Sequence, residues 1–249
     1  MRTNIIIKSL FVALLAFGLG SCEKPYDTEG LSKVTYYPDF TMTGESVIFI
    51  NLGGTYTEPG VIAEENGSEI TVTTSVVGDF FSGSVSAVNT NTADKYILTY
   101  TATNSDGYSG NVAREVYVVS TGDLTSSIEG LYTTSITRNG TTSAQYTDLS
   151  YVMIQKTGAN TYAISDAIGG YYDLGRGYGA GYRATGLTIT ANNIAANDFS
   201  FSGPVGVGAF GGSCEMTLMS VDATAKTVSF TSVWDAGYTF EVVLKQVQL

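Results

Sequence analysis

The 249-residue chain contains no histidine, two cysteines, four prolines and a single tryptophan, and its 12 basic residues are outnumbered by 23 acidic ones. Without histidine, Ser-His-Asp and Cys-His nucleophilic arrangements, a His-ligated zinc site and a haem-ligating histidine are all excluded. The formal charge of -11 gives a surface that repels nucleic acid phosphates, so no nucleic-acid partner is expected. Calcium binding through "TNSDGYSGN" or the acidic surface is an alternative, but no D-x-D-x-D-G loop is present, solvated acidic loops are the default, and no metal or cofactor is expected. "GVGAFG" has dinucleotide-fingerprint spacing at Gly206, Gly208 and Gly211, but it leads into another strand rather than a helix, so phosphate binding drops out.

What is plentiful is Gly (29), Tyr (17) and Phe (11), with recurring short runs of Val, Ile and Thr, a composition that favours strands and tight turns. An all-β protein is expected. At the N-terminus Arg2 and Lys8 precede the apolar run Leu10 to Phe17, too short for a spanning helix of about 20 residues, and small residues follow it up to Cys22. Leu19-Gly20-Ser21-Cys22 resembles the lipobox of bacterial lipoproteins. That resemblance implies a signal peptide over 1–21, lipidation of Cys22 and attachment to a membrane through the lipid, the alternative being a secretory signal with an incidental cysteine. Polar residues 22–33 read as a tether. Only Cys214 then remains, alternating with Met216 and Leu218 on a strand, so it reads as a small buried hydrophobe and no intramolecular disulfide is expected.

Runs such as "VTYYPDF", "ESVIFINLGG", "EITVTTSVV", "KYILTYTATN" and "REVYVVS" alternate with period two and are separated by turn signals. "GGTYTEPGVIAEENG" (Gly53 to Gly67), "KYILTYTATNSDG" (Lys95 to Gly107) and "REVYVV" (Arg114 to Val119) resemble, in order and spacing, the immunoglobulin-like repeats of bacterial surface proteins. The resemblance implies a two-sheet sandwich over 34–121 acting as spacer or adhesion module, with Tyr96 either pinning a corner or filling the core. The domain boundary falls in the polar stretch Ser120 to Gly130, whose large hydrophobes are Leu124 and Ile128, and the joint around Thr121 to Ser127 should carry few contacts. Beyond it, 128–249 shows strand signals about every ten residues, beginning with a turn at Asn139-Gly140, and an antiparallel sandwich or barrel is expected. "EGLYTTSITRNG" and "VSFTSVWDAGYTFEVVL" resemble the C-terminal β modules of Bacteroidetes lipoproteins, which names no activity.

Between Gly169 and Gly186, "GGYYDLGRGYGAGYRATG" packs seven glycines, four tyrosines, two arginines and one aspartate into eighteen residues. Sugar rings stack their C–H faces on aromatic side chains and offer hydroxyls to planar polar groups. Tyr171, Tyr172, Asp173, Arg176, Tyr178, Tyr182 and Arg183, joined by Trp234 and Tyr238, are therefore candidate glycan-binding residues. The competing reading makes the tyrosines core and the glycines relief at bulges or a corner. Asp166, Asp173 and Asp235 leave a glycoside hydrolase as a third reading, although aspartates beside such turns usually bond their own backbone.

In layout the chain is similar to the accessory glycan-binding lipoproteins of polysaccharide-uptake systems. That similarity implies a non-catalytic protein, lipid-anchored in the outer membrane at the cell surface, binding a polysaccharide or oligosaccharide beside an outer-membrane transporter complex. A surface protein of adhesive or structural role, with all its aromatics internal, is the alternative.

Overall fold

The computed structural model describes residues 33–249; the expected signal segment 1–21, Cys22 and the tether as far as residue 32 lie outside the described residues. The first lobe contains β1 (Asp39–Met42), β2 (Val47–Asn51), β3 (Val61–Glu65), β4 (Ser68–Ile70), β5 (Val72–Gly78), β6 (Gly83–Val85), β7 (Asp94–Thr103) and β8 (Ser109–Val119). One sheet has the order β1-β3-β4 and the other β2-β8-β7-β5-β6, with β2 parallel to β8. Strict alternation along β7 turns Tyr96, Leu98, Tyr100 and Ala102 into the core, where they meet Val116 and Val118 of β8 and the half-buried Met42 and Val61 of the facing sheet. The Tyr96 hydroxyl reaches back to the carbonyls of Asn89 (3.1 Å) and Thr92 (3.2 Å), which pins the corner entering β7.

The second lobe contains β9 (Gly130–Arg138), β10 (Leu149–Lys156), β11 (Thr161–Ile164), β12 (Thr188–Asn193), β13 (Asp198–Phe201), β14 (Val205–Val207), β15 (Gly211–Asp222), β16 (Thr227–Trp234) and β17 (Tyr238–Gln246). All are antiparallel neighbours in one nine-stranded sheet of order β13-β12-β11-β10-β9-β17-β16-β15-β14. The expected antiparallel all-β domain is present, in the form of one curled sheet. A single sheet curls until β13 approaches β15, and the Val221 N–H is joined to the Asn197 side chain at 2.8 Å, but no strand ladder closes the ring.

Its hollow is filled by the 165–187 segment, here called the plug. Ala167, Ile168, Tyr171, Tyr172, Ala184 and Leu187 pack against wall residues including Tyr132, Phe230, Phe240 and Val242. Two glycines allow the plug to seat. Gly169 has φ +70° and an added Cβ would lie 2.6 Å from Val242 Cγ1; at Gly175 it would lie 2.5 Å from Tyr146 Cδ1. Asp166 closes the plug's neck: its Oδ1 accepts from the N–H groups of Ile168 (3.0 Å) and Ala184 (3.1 Å). Burial pushes the Asp166 carboxyl up to about 6, against the two N–H bonds that favour its charge.

The joint is not the contact-poor linker its polarity suggests. Leu124 and Ile128 are buried in the second lobe's core, and the Asp123 carboxylate folds the intervening residues by accepting from the N–H groups of Thr125, Ser126 and Ser127. The lobes also share a small core in which Ala93, Tyr117 and Val119 meet Leu131 and Met153, with Phe80, Phe81 and Tyr151 at its margin. Beside it lies a buried charge lock. Arg183 of the plug donates through Nη1 to the Asp79 carbonyl and through Nη2 to the Asp79 carboxylate, both at 2.8 Å, and through Nε to Asp173, while its guanidinium stacks 5.0 Å from the Phe80 ring centroid.

Removing one partner from a buried ion pair costs ~3–5 kcal/mol, because the remaining charge is stranded. Arg183→Ala is accordingly expected to lower stability by about that amount and to split the chain's melting into two calorimetric transitions. A single transition at the unaltered temperature would contradict the lock. The raised Asp166 carboxyl supplies a second test. A group with its folded pKa raised from 3.8 to about 6 favours the fold fully below its ordinary value, and that contribution fades as pH rises through about 6. Denaturant titrations at pH 4 and pH 7.5 should therefore show Asp166→Asn removing on the order of 2–3 kcal/mol of acid-favoured stability relative to the parent. A difference of the opposite sign, or none, counts against this account.

Candidate functional site

The plug's aromatic residues meet the turn between β14 and β15 and the turn between β16 and β17 at one end of the curled sheet. Tyr171 and Tyr172 sit in a single π-helical turn, Tyr171–Gly175, and are buried. Tyr171 is stacked on Tyr146 (4.3 Å between centroids, 20° between planes) and edged by Tyr172 and Phe240; Tyr172 packs edge-on to Trp234 and Phe210. Trp234 is buried, and its Nε1 donates to the Gly211 carbonyl at 3.2 Å. The four tyrosines of the plug therefore do not form one open platform. A ring enclosed on both faces cannot offer one to a sugar, and the π-helical turn directs Tyr171 and Tyr172 inward. Asp173 and Arg183 are likewise committed to the lock between the lobes.

Some of the candidate residues reach two accessible surfaces. The first is an aromatic corner in which Tyr178 and Phe210 are 49% and 48% exposed and Tyr182 is half-buried. Phe210 lies 4.9 Å from Tyr182 and 6.3 Å from Tyr178, with planes 59° and 61° apart, and Tyr178 rests parallel on the buried Tyr172. Gly208 lets this turn touch the plug backbone at Gly181 and Tyr182. Phe210 escaped the sequence reading because "GVGAFG" was weighed only as a phosphate motif; a lone aromatic among glycines, outside any alternating run, was the available signal.

The second is a cavity of about 250 Å³ beside the Asn139-Gly140 turn, lined by Arg138, Asn139, Thr141, Ser143, Tyr146, Tyr171, Arg176 and Tyr238. Asn139 and Gly140 both take positive φ, 50° and 71°, as expected of that turn, and the Asn139 side chain ties it to Thr239 and Gly237. Arg138 stacks over Tyr171 (4.9 Å) and Tyr238 (4.6 Å), while Arg176 lies 5.8 Å from the centroids of both Tyr146 and Tyr171. Burial raises the Tyr146 hydroxyl above the usual tyrosine range, so it stays protonated. Of the nine residues expected to bind glycan, Arg176 and Tyr238 reach this cavity together with the edge of Tyr171, and Tyr178 and Tyr182 reach the aromatic corner.

The aspartates behind the hydrolase reading are all engaged. Asp166 is buried on backbone N–H groups, Asp173 is paired with Arg183, and Asp235 accepts from the Ser213 N–H at 3.0 Å in a turn. Cys214 is buried and unpaired, and burial pushes its thiol up to about 12, far from reactive.

Comparison with known proteins follows the same division of the chain. A model of the bacterial surface protein Ig-like domain matches residues 40–118, and a C-terminal domain family model matches residues 121–246, half of the chain. The crystal structure of the lipoprotein BT2262 from Bacteroides thetaiotaomicron is similar at 27% identity with a TM-score of 0.63, covering 84% of this chain and all of that one. Among curated proteins none matches. The chain belongs to the family defined by this C-terminal domain, carried here behind a bacterial surface Ig-like domain.

Proposed function

We propose that this protein is a lipid-anchored, non-catalytic glycan-binding protein of the bacterial outer membrane, facing the cell surface and serving polysaccharide uptake beside a transporter. The observation that carries the reading is the exposed corner of Tyr178 and Phe210, backed by Tyr182 and seated on buried aromatics. Exposed rings on a rigid base are what a sugar's apolar face needs, because little side-chain freedom remains to be lost on binding. The nearby hydroxyls and glycine backbone supply polar contacts without crowding. A structural or adhesive role is the second reading, favoured by the burial of Tyr171, Tyr172 and Trp234.

Binding and stability separate the two. Tyr178→Ala and Phe210→Ala should each weaken binding on a glycan array by about tenfold, ~1.4 kcal/mol, with little change in melting temperature. Tyr172→Ala should instead cost ~3–5 kcal/mol of stability, as loss of an enclosed ring does. If the parent protein binds no glycan on the array, the second reading stands. For the anchor, Cys22→Ala should shift the protein from the detergent phase to the aqueous phase on phase separation; retention in the detergent phase would falsify lipidation at Cys22.

A further inference from the structure

Among the described arginines, Arg114 is paired with Glu58 and Arg183 with Asp79 and Asp173, whereas Arg138 and Arg176 have no carboxylate partner. In a chain of formal charge -11 that is an unusual allocation of scarce positive charge. Both unpaired guanidiniums line the same cavity of about 250 Å³, and no carboxylate lines it. Two like charges sharing a small, partly enclosed space repel one another, and an anion placed between them removes that cost.

The cavity also fixes the kind of anion. Each guanidinium is held against tyrosine rings, Arg138 on Tyr171 and Tyr238 and Arg176 beside Tyr146 and Tyr171. Stacking on ring faces leaves the N–H donors at the edge of each five-donor fork for a ligand. A planar fork held in place matches a planar carboxylate. The volume lies below the ~300–1,000 Å³ of drug-sized pockets, a fit for one ring rather than a long polymer section. Thr141 and Ser143 add exposed hydroxyls at the rim, suited to the hydroxyls of a sugar.

We propose that this cavity binds the carboxylate of an acidic sugar, a uronate unit of a glycan, between Arg138 and Arg176. The proposal rests on the glycan-binding reading above and names its ligand class.

The test is titration calorimetry on the full chain in detergent. The probes are galacturonate, glucuronate and mannuronate trimers, their methyl esters, the corresponding neutral trimers, and inorganic phosphate. At least one uronate trimer should bind at least tenfold more tightly than its methyl ester and neutral counterpart, and added salt should weaken it. Arg176→Gln, at an exposed residue whose loss leaves the core untouched, should erase that preference while neutral-glycan binding at the aromatic corner persists. Arg138→Gln should act in the same direction, and unchanged melting of either variant shows that the fold is intact. Equal binding of acid and ester, or a preference that survives both substitutions, overturns the proposal and leaves glycan binding standing. Phosphate binding as tightly as any trimer overturns the sugar assignment. A panel without any uronate binder overturns the proposal, and if the neutral trimers and the glycan array are also silent, the broader reading fails with it.

Discussion

The buried Arg183 guanidinium fixes the positions of parts that are otherwise held by soft apolar contact. Moving charges out of water costs several kcal/mol per ion, so such a group persists only where its donors are matched. Here Nε meets Asp173, Nη1 the Asp79 carbonyl and Nη2 the Asp79 carboxylate. The requirement propagates. Asp79 begins the turn into β6, and that turn is held by buried Asp94, which accepts from the N–H groups of Phe80 (2.9 Å), Phe81 (3.2 Å) and Ser82 (2.8 Å). Lys95 adds a contact of 2.6 Å to Glu115 and one of 3.8 Å to Asp79, extending the network along the first lobe's edge. The orientation of the two lobes is therefore specified by directional bonds as well as by the shared core around Tyr117 and Met153.

The same arginine restrains the plug. Asp166 holds the plug's neck to Ala184, Asp173 binds Arg183 from the middle of the segment, and Ser232 Oγ donates to the Ala167 carbonyl at 2.5 Å from the wall. A glycine-rich loop tied at several points loses the freedom its composition suggests. That is why exposed Tyr178 can rest on a fixed Tyr172 instead of wandering, and why Arg138 and Arg176 keep their stacking partners. Glycine here serves close approach, as the Gly169 contact with Val242 and the Gly175 contact with Tyr146 show.

Much of the strand plan was legible, because half-buried strands write their pattern in alternation: β7 buries every second residue from Asp94 to Ala102, and the Asn139-Gly140 turn falls where its positive-φ residues require. Short strands were not. β4, β6 and β14 span three residues each, too few for a period to show. The antiparallel β domain was legible but what fills its curl was not, since alternation reports one buried face without saying what covers it, and the cover is a loop that follows no period. Leu124 and Ile128 mislead for a related reason. Two apolar residues in a polar stretch look like a linker until the Asp123 loop turns both into the core. Site residues were legible as residue types. Tyr172 and Tyr178 lie in the same glycine-rich stretch, yet one is enclosed and the other is 49% exposed, a difference made by long-range packing of Tyr172 against Phe240 and Trp234.

Charge allocation ties these levels together. In the described part of the chain, the arginines that meet carboxylates are internal fasteners: Arg114 is fully buried, 3.2 Å from Glu58 and 2.8 Å from the Thr43 carbonyl, and Arg183 joins the lobes. Had Arg138 and Arg176 served the same purpose, an acidic chain would have supplied their partners readily, with 23 carboxylate side chains to draw on. They are instead paired with aromatic faces, an arrangement that orients a guanidinium without neutralising it. Stacking on tyrosine stabilises each cation singly, but it leaves their mutual repulsion uncompensated. A bound carboxylate, as proposed above, would relieve that repulsion.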